Sequence, residues 1–340
     1  MIIMASGKQL YKLFTDFVGN NKVMFNFMTD GNNLRVQMLD DYTVGTGIDC
    51  TSVDNDHNKM DVSFWVTKAV LVMDKDEDVK ITFSSSTVLL EQKEFYCMFT
   101  VEYEARREYP SMAGVELKPA LANNLKAVTH DVQACVPIAK ELSIVPPDPM
   151  FVNGNVYSGF NQCFLISKLS YPEMCITYNT LKSFAYKLKE DTTYAYLKEY
   201  NVLYLLSGRY EFWIPTVDYN IDGATISSVD RKLADMYPIT TIKLEGLIEK
   251  FQIITSAFAK QQLAMVIGVN EIAINADSSH AHVTTGGITK YLVSIRITPA
   301  ELLTITKIFS DDEEIEVLRG GNGICLRNKN KSFVIAGVPY

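Results

Sequence analysis

The residues of this chain that could bind a metal ion or activate a nucleophile are few and poorly spaced for either task. His280-Ala281-His282 could present two imidazoles from one face of a strand, but no cysteine or carboxylate stands at a spacing that would complete a metal site. His130 is not accompanied by a nucleophile elbow. The acidic pair Asp40-Asp41 lies between two predicted strands, where a turn is the simpler interpretation. The sequence therefore predicts a protein that is not an enzyme.

Two glycine-rich stretches lack the rest of a phosphate-binding motif. Neither Gly286-Gly287 nor Gly320-Gly321-Asn322-Gly323 is followed by Gly-Lys-Ser/Thr and a helix, which a nucleotide phosphate needs. Both stretches are predicted to be hairpin turns instead. We therefore expect no cofactor and no bound metal.

Lysine is the residue type whose placement carries a functional signal. The formal net charge is −8, which argues against a wholly basic surface but allows a basic stripe within an acidic exterior. Acidic residues gather in predicted loops such as 74–78 and 311–314. Lysines fall instead on the predicted helices or just beyond their ends, at Lys8, Lys12, Lys22, Lys68, Lys126, Lys182, Lys187, Lys250, Lys260 and Lys307. Helix propensity also favours lysine there, so the placement is compatible with phosphate contacts without requiring them.

Length and composition set the outer limits of the interpretation. A chain of 340 residues with 47% hydrophobic residues predicts two or three domains with substantial cores. No run of about 20 apolar residues exists, so we expect no membrane-spanning helix. The six cysteines are scattered without paired spacing, which is typical of buried thiols in a reducing cytoplasm.

The elements that would position these lysines recur three times. Val101-Glu102-Tyr103, Val217-Asp218-Tyr219 and Val338-Pro339-Tyr340 each end a series of helix, strands, helix and strands. The repetition predicts an α+β fold of three tandem domains, each with two helices packed on an antiparallel sheet. The predicted boundaries are 1–112, 113–226 and 227–340.

Local patterns give the predicted helices and connectors. The six predicted helices cover residues 8–18, 67–73, 120–135, 180–188, 244–260 and 299–308. Pro137 should end or bend the third helix, and Thr298 should cap the last. Residues 220–236 are expected to form a polar connector.

This organisation resembles that of the sliding DNA clamps of the bacterial type, which have three such domains per chain. The resemblance covers the whole chain, and its most specific parts are residues 99–103, Arg107-Glu108-Tyr109-Pro110 and the last strand, 333–340. One departure is that Tyr157-Ser158-Gly159-Phe160 stands where the family commonly has Ala-Thr-Asp-Gly. The resemblance implies a ring-forming fold with helices inside and sheets outside.

The resemblance also implies a function, namely a polymerase processivity factor that encircles double-stranded DNA without sequence preference. Two copies would join head to tail as a homodimer, with Phe258 either crossing the junction or belonging to the core. The lysines named above would face the DNA, and Lys22 would lie on a loop that meets tilted DNA. DNA polymerase and clamp loader would dock short peptides in a groove drawn from Ser158, Phe164, Tyr219, Val338, Pro339 and Tyr340.

Two other interpretations stay open at this point. A structural β-repeat protein, such as a viral assembly component, would share the tandem strands but would not need lysines grouped on helices. A hydrolase with an undetected site is the third. The scattered cysteines indicate a cytoplasmic protein, and the resemblance implies the cytoplasm of a bacterium or of a phage-infected host. We expect no binding to membranes.

Overall fold

The structure is a computed structural model of the 340-residue chain. It describes residues 1–19, 22–54, 58–102, 109–120, 122–160, 163–169, 171–217, 223–259, 261–269, 271–276, 282–284, 290–321 and 323–335. The chain divides into two compact units. Unit 1 consists of Met1–Ala122 and Tyr186–Pro215, and unit 2 consists of Asn123–Ala185 and Thr216–Tyr340.

Helices are present in both units. The α-helices among the described residues are α1 (Gly7–Phe17), α2 (Ala122–Ala134), α3 (Val136–Glu141), α4 (Tyr178–Phe184), α5 (Gly223–Ala234), α6 (Leu247–Ala257) and α7 (Pro299–Ile308). Short 3-10 helices cover Lys68–Val72, Ala185–Lys187 and Lys198–Tyr200. In this part of the chain no helix is both long and apolar enough to cross a bilayer.

The strands make up the larger part of the fold. In chain order they are β1 (Ile2–Ala5), β2 (Val23–Thr29), β3 (Asn33–Leu39), β4 (Thr43–Ser52), β5 (Met60–Val66), β6 (Val79–Phe83), β7 (Thr87–Glu91), β8 (Tyr96–Thr100), β9 (Lys118–Pro119), β10 (Met150–Val152), β11 (Asn155–Phe160), β12 (Cys163–Lys168), β13 (Met174–Cys175), β14 (Thr193–Leu197), β15 (Val202–Ser207), β16 (Tyr210–Pro215), β17 (Tyr237–Lys243), β18 (Leu263–Gly268), β19 (Glu271–Ala276), β20 (His282–Thr284), β21 (Tyr291–Ile297), β22 (Glu314–Gly320), β23 (Gly323–Arg327) and β24 (Lys331–Ile335).

Unit 1 is built on one antiparallel sheet of twelve strands. Its main order is β8-β7-β6-β1-β4-β16-β15-β14-β9, and β3, β2 and β5 branch from β4 in that order. Helix α1 packs its apolar stripe on this sheet, with Leu10, Leu13 and Phe14 fully buried. The Phe14 ring meets Phe25 edge-on at 5.3 Å between centroids, and Phe17 meets Tyr210 at 5.4 Å. The apolar residues at positions i, i+3, i+4 and i+7 of α1 thus lie on the side that packs on the sheet, as their spacing predicts.

Unit 2 contains two antiparallel sheets around one large core. The eight-stranded sheet has the order β13-β10-β11-β12-β24-β23-β22-β17, and the four-stranded sheet has the order β20-β19-β18-β21. Side chains from α3, α6 and α7, such as Ile138, Phe251 and Leu302, meet Leu165 and Phe333 of the larger sheet in this core. Helix α7 packs against both α3 and α6. These helices therefore cover one face of the eight-stranded sheet.

The predicted repeats are joined by strand pairing rather than by flexible linkers. In unit 1, β4 of the first repeat pairs with β16 of the second, with Val44 opposite Phe212. In unit 2, β12 of the second repeat pairs with β24 of the third, with Leu165 opposite Phe333. Each junction thereby satisfies backbone groups that would otherwise form an open sheet edge.

The ends of the first two repeats occupy related positions. Glu102 forms an isolated antiparallel bridge with Ser63 of β5, the strand before the Lys68–Val72 helix. Val217 forms the same kind of bridge with Cys175 of β13, the strand before α4. The similar placement of two repeat ends agrees with one architecture used more than once.

Most predicted helices are confirmed, with small shifts at their ends. Helix α7 begins and ends where predicted, and Thr298 and Glu301 form a reciprocal capping box at its start. The helix predicted over 120–135 ends at Ala134 as α2, and α3 begins at Val136 with Pro137 in its first turn, as expected for a proline that bends the chain. The predicted polar connector 220–236 is wrong for most of its length, because residues 223–234 form α5.

The glycine-rich turn before β23 is confirmed as a hairpin. Gly320 of β22 pairs with Gly323 of β23, and Gly321 has a φ of 54°. This left-handed conformation is one that glycine adopts without steric cost. The predicted domain boundary at 226/227 falls inside α5, and the three-domain division itself stays a prediction.

Candidate functional site

Three of the predicted lysines lie on two helices of unit 1 that pack against each other. Helix α1 packs against the 3-10 helix Lys68–Val72, and Lys8, Lys12 and Lys68 are all exposed on these two elements. The Lys12 ammonium lies 3.2 Å from a carboxylate oxygen of Asp16, one turn later on α1. Lys22 is exposed just before β2. An exposed ion pair of this kind leaves Lys12 available to solvent anions.

Lys187 differs from the other predicted lysines because its ammonium group is held by aromatic groups. Its Nζ lies 4.3 Å from the centroid of the Phe17 ring and donates a hydrogen bond of 3.3 Å to the Tyr42 hydroxyl. Burial of the ammonium group lowers the pKa of Lys187, although the residue as a whole is exposed. The ammonium group of Lys187 is thus bound by other side chains of unit 1.

In unit 2 the predicted lysines lie on four different helices. Lys250 on α6 and Lys307 on α7 are exposed, and these two helices pack against each other. Lys182 on α4 is also exposed, whereas Lys126 on α2 is half-buried. Lys260 lies outside the described residues.

The sequence prediction missed some helical lysines of unit 2, and Lys140 is one of them. Lys140 is exposed on α3, the short helix that follows the bend at Pro137. It lines a cleft of about 710 Å³ together with Gln252 and Ser256 of α6 and Pro299 of α7. Ammonium, amide and hydroxyl donors of this kind suit an anionic oxygen, although Glu141 also lines the cleft. Continuing the helical pattern past Pro137 would have found this lysine.

The eight-stranded sheet has a second apolar face, opposite the main core. Strand alternation places Leu165 in the main core, whereas its neighbour Ile166 points the other way. The second face, called the α5 face below, is formed by Val152, Tyr157, Ile166, Leu318, Cys325 and Val334. Ile226 and Val229 of α5 are buried against it. The missed helix therefore covers this face.

The predicted peptide groove belongs in part to the same region. Phe164 is partly buried and packs against both groups of residues that form the α5 face. Ser158 is only 3% exposed, and its strand partner is Leu165 of the main core. Tyr219, Val338, Pro339 and Tyr340 lie outside the described residues. Of the residues predicted to form the groove, the structure thus describes two. Phe164 lies on the α5 face, and Ser158 lies on the opposite face of the same sheet.

A smaller cavity lies beside the end of α5. It has a volume of about 430 Å³ and is lined by Lys232 and Met236, by Val334 of β24 and by glycines of the β22–β23 hairpin. Lys232 and Met236 flank the end of α5, so this cavity is part of the same surface. It can hold a small apolar side chain beside the charged groups of Lys232 and Asp235.

Residues that could join two copies lie on the outermost strands of two sheets. Strand β8 ends the sheet of unit 1, and it exposes Tyr96 and Met98 by 65% and 59%. Strand β21 ends the four-stranded sheet of unit 2, and it exposes Tyr291 by 59%. Phe258, by contrast, directly follows α6 and packs against the main core of unit 2.

The described side chains form no group of three or more His, Cys, Asp or Glu residues that could hold a metal ion. His280 and Ala281 lie outside the described residues. Burial raises the pKa of the Cys135, Cys175 and Cys325 thiols to about 12, which keeps these thiols protonated and unreactive at neutral pH.

Comparison with known proteins gives matches at the level of structure. No protein-family model and no curated protein sequence matches the chain. A solved structure assigned as a DNA polymerase III beta subunit from Eubacterium rectale matches with a TM-score of 0.75 at 12% identity, and the Helicobacter pylori beta clamp with 5-chloroisatin matches with a TM-score of 0.72 at 12% identity. Each alignment covers 100% of both chains. The chain has the fold of the bacterial sliding clamp.

The sliding-clamp fold confirms the α+β class predicted from the repeats and the resemblance drawn from residues 99–103 and 333–340. Another structure with this fold is the Helicobacter pylori beta clamp bound to a DNA ligase peptide, which matches with a TM-score of 0.67 at 9% identity and covers 99% of this chain and 100% of that one. At least one protein with the sliding-clamp fold therefore binds a peptide from a DNA-processing partner.

Proposed function

We propose that this chain is a DNA sliding clamp that encircles double-stranded DNA as a head-to-tail homodimer and tethers a polymerase. The observation that carries the proposal is the end-to-end match of its fold with bacterial beta clamps. A match over the full length of both chains is stronger support than a shared sheet, since it includes the order of all the repeats. The proposal retains the three domains 1–112, 113–226 and 227–340 and no enzymatic activity.

The DNA contacts would come from lysines on helices. Lys8, Lys12, Lys68, Lys250 and Lys307 are exposed and extend from helices whose other sides are buried. Lys22, Lys126, Lys140 and Lys182 would extend the same basic lining, with Lys260 as predicted from the sequence. Because a sliding protein must tolerate every sequence, these ammonium groups would contact phosphates and not bases. Few phosphates would be neutralised at once, so encirclement and not affinity would retain the protein on DNA.

The junction between two copies would join β8 of one copy to β21 of the next. Both strands lie at the ends of their sheets, and both expose apolar side chains, Met98 on β8 and Tyr291 on β21. Exposed edges of this kind invite pairing with another strand. A head-to-tail contact must close after two copies, because an open series would grow into a filament. Phe258 would support this junction from the core side.

The partner contact would use the groove predicted between the second and third domains. A polymerase or clamp loader would present a short peptide with apolar anchors. Support comes from the Helicobacter pylori beta clamp, which is bound to a DNA ligase peptide. Phe164 and the last three residues, Val338, Pro339 and Tyr340, would provide the apolar surface. Tyr219 would complete it, and Ser158 would support it from the main-core side of the sheet.

Retention on circular DNA tests the proposal most directly. The protein is diluted so that its copies dissociate, mixed with a nicked DNA circle, concentrated again, and then passed over a sizing column at high salt. We expect co-elution with the circle, release after the circle is cut, and no retention on DNA that was linear from the start. Equal behaviour on circular and linear DNA would refute encirclement and favour a structural β-repeat protein.

A further inference from the structure

Helix α5 meets the sheet with a narrow aliphatic stripe. Ile226, Val229 and Leu233 stand at positions i, i+3 and i+7 and so lie on one side of the helix. Ile226 and Val229 are each 5% exposed, whereas Ser227 between them is exposed. The helix thus places two branched side chains and part of a third on the α5 face.

One polar contact fixes the position of the helix on that face. The Tyr157 hydroxyl donates to the two carboxylate oxygens of Asp230, at 2.8 Å and 3.1 Å. Tyr157 is 2% exposed and belongs to the α5 face itself. Asp230 directly follows Val229 in the helix. The sheet therefore binds an aliphatic side chain and a carboxylate at adjacent positions of α5.

The chain that follows α5 is fitted closely to the sheet. A Cβ added to Gly320 of β22 would lie 2.6 Å from Cγ of Met236 and 3.2 Å from its Cα. The chain can therefore approach β22 this closely only because residue 320 is glycine. The close fit at Met236 makes this end of α5 the fixed end.

The face under α5 is the one to which the proposed groove belongs. Phe164 and Leu233 are each partly buried, and both pack against the same two groups of buried residues. An incoming peptide that used Phe164 would therefore meet α5. A partner segment that takes the place of α5 must therefore present the same kinds of side chain to this face.

We propose that α5 is an internal ligand of the partner groove, which a partner displaces by presenting a segment of the same chemistry. That segment is a short amphipathic helix with two branched aliphatic residues three positions apart and a carboxylate after the second. This inference rests on the proposed function, because the groove is the clamp's contact with its partners.

The experiment uses a labelled synthetic peptide with the sequence of residues 223–236 as the probe. The full-length double variant Ile226→Ser/Val229→Ser removes the two buried residues of the aliphatic stripe from the internal helix, keeps Leu233, and leaves the sheet unchanged. We expect the probe to bind this variant at least tenfold more tightly than the wild-type protein, measured by fluorescence anisotropy. The matched control protein is Ser227→Ala, which alters only the exposed side of α5. The control peptide has serine in place of Ile226 and Val229.

The outcomes separate the two proposals. No binding of the probe to the double variant, or equal binding to both proteins, would overturn the internal-ligand inference. If circular dichroism shows that the double variant unfolds, Asp230→Ala replaces it, and loss of the Tyr157 contact should strengthen probe binding roughly tenfold. The double variant should still be retained on circular DNA, so failure of retention in every protein would count against the clamp function and not against α5.

Discussion

The ammonium group of Lys331 lies 2.7 Å from a carboxylate oxygen of Asp131, 200 positions earlier in the chain. The second carboxylate oxygen accepts a hydrogen bond of 3.1 Å from the Ser167 hydroxyl, and Lys331 also donates to the carbonyl oxygen of Ile308 at 3.3 Å. Asp131 on α2 is 2% exposed. A carboxylate this deeply buried is tolerated only with a charged partner and further hydrogen bonds. The pair ties α2 of the second repeat to β24 of the third.

Replacing Lys331 by methionine should destabilise unit 2 strongly. The change keeps the apolar stem but leaves Asp131 charged and buried, so we expect a loss of about 3 kcal/mol in the free energy of unfolding. Urea unfolding followed by circular dichroism measures this loss. Lys329→Met, two residues earlier and exposed, is the matched control and should shift the midpoint little. Equal midpoints for the two variants would show that the ion pair does not stabilise the fold.

Replacing Gly7 by alanine should disturb the start of α1. A Cβ at this position would overlap the backbone carbonyl oxygen of Glu77, which cannot move as a flexible side chain would. We expect a loss of about 2 kcal/mol, because overpacking forces a backbone shift. Gly19→Ala is the control, since a Cβ there meets nothing within 4 Å. Thermal unfolding of the two variants measures this loss. An unchanged unfolding temperature for the Gly7 variant would contradict the close contact with Glu77.

The stability of the protein should fall between pH 10 and pH 12. Burial raises the pKa of Tyr157, Tyr204 and Tyr210 to about 12, from an ordinary value of 10.0. In this interval the unfolded chain binds fewer protons than the folded one, so the free energy of unfolding decreases as pH rises. The contribution is complete below pH 10 and is lost by pH 12.

Tyrosine variants separate this effect from general alkaline denaturation. Tyr210→Phe removes one of the three phenols together with its 3.0 Å hydrogen bond to Asp16, so the variant should start less stable but lose stability less steeply with pH. Tyr200→Phe is the control, because Tyr200 is 58% exposed. The measurement is the urea midpoint at several alkaline pH values. Parallel curves for all three proteins would refute the role of the buried phenols.

The salt dependence of DNA binding should reveal which lysines contact phosphates. Lys250→Ser and Lys307→Ser should each lower the slope of log affinity against log salt by about 0.9 on linear duplex DNA. Lys75→Ser, in the acidic loop after the first 3-10 helix, is the matched control and should leave the slope unchanged. A slope that responds equally to all three changes would indicate nonspecific attraction to the whole surface.

Charges placed on the two sheet edges should separate the copies of the proposed dimer. Met98→Lys on β8 and Tyr291→Asp on β21 should each give a particle of the monomer mass, because each change puts a charge into an apolar strand junction. A mixture of the two variants should regain the dimer mass, since one junction then joins lysine to aspartate and the other is unchanged. Light scattering measures the mass, and a dimer that survives both single changes would exclude these edges.

Secondary-structure elements whose ends depend on residues close together in the sequence could be predicted. Helix α7 is set by Thr298, Pro299 and Glu301, all within four positions, and its bounds follow directly. Helix α5 was missed because its apolar stripe is only three residues among serines and charged residues, which alone resemble a connector. It is helical against the sheet because the α5 face supplies the apolar partner, and that face is assembled from strands far away in the chain.

The same distinction applies to the candidate site. Exposed lysines on helices such as α1 and α6 follow from helical periodicity, so they could be named from the sequence. The position of Lys187 against Phe17 and Tyr42 could not, because the three residues meet only after the sheet of unit 1 has formed. Lys140 is missed because the predicted helix stops at residue 135, before Pro137, whereas the chain continues as α3 after this proline.

The pairing of β4 with β16 and of β12 with β24 has a consequence for how this chain can be divided. Three repeats are predicted, but the middle one shares its hydrogen-bonded strands with a different neighbour on either side. A fragment cut at 112 or at 226 would expose the edge of a torn sheet and should aggregate. Recombinant pieces of this protein should therefore be designed around its sheets and not around its repeats.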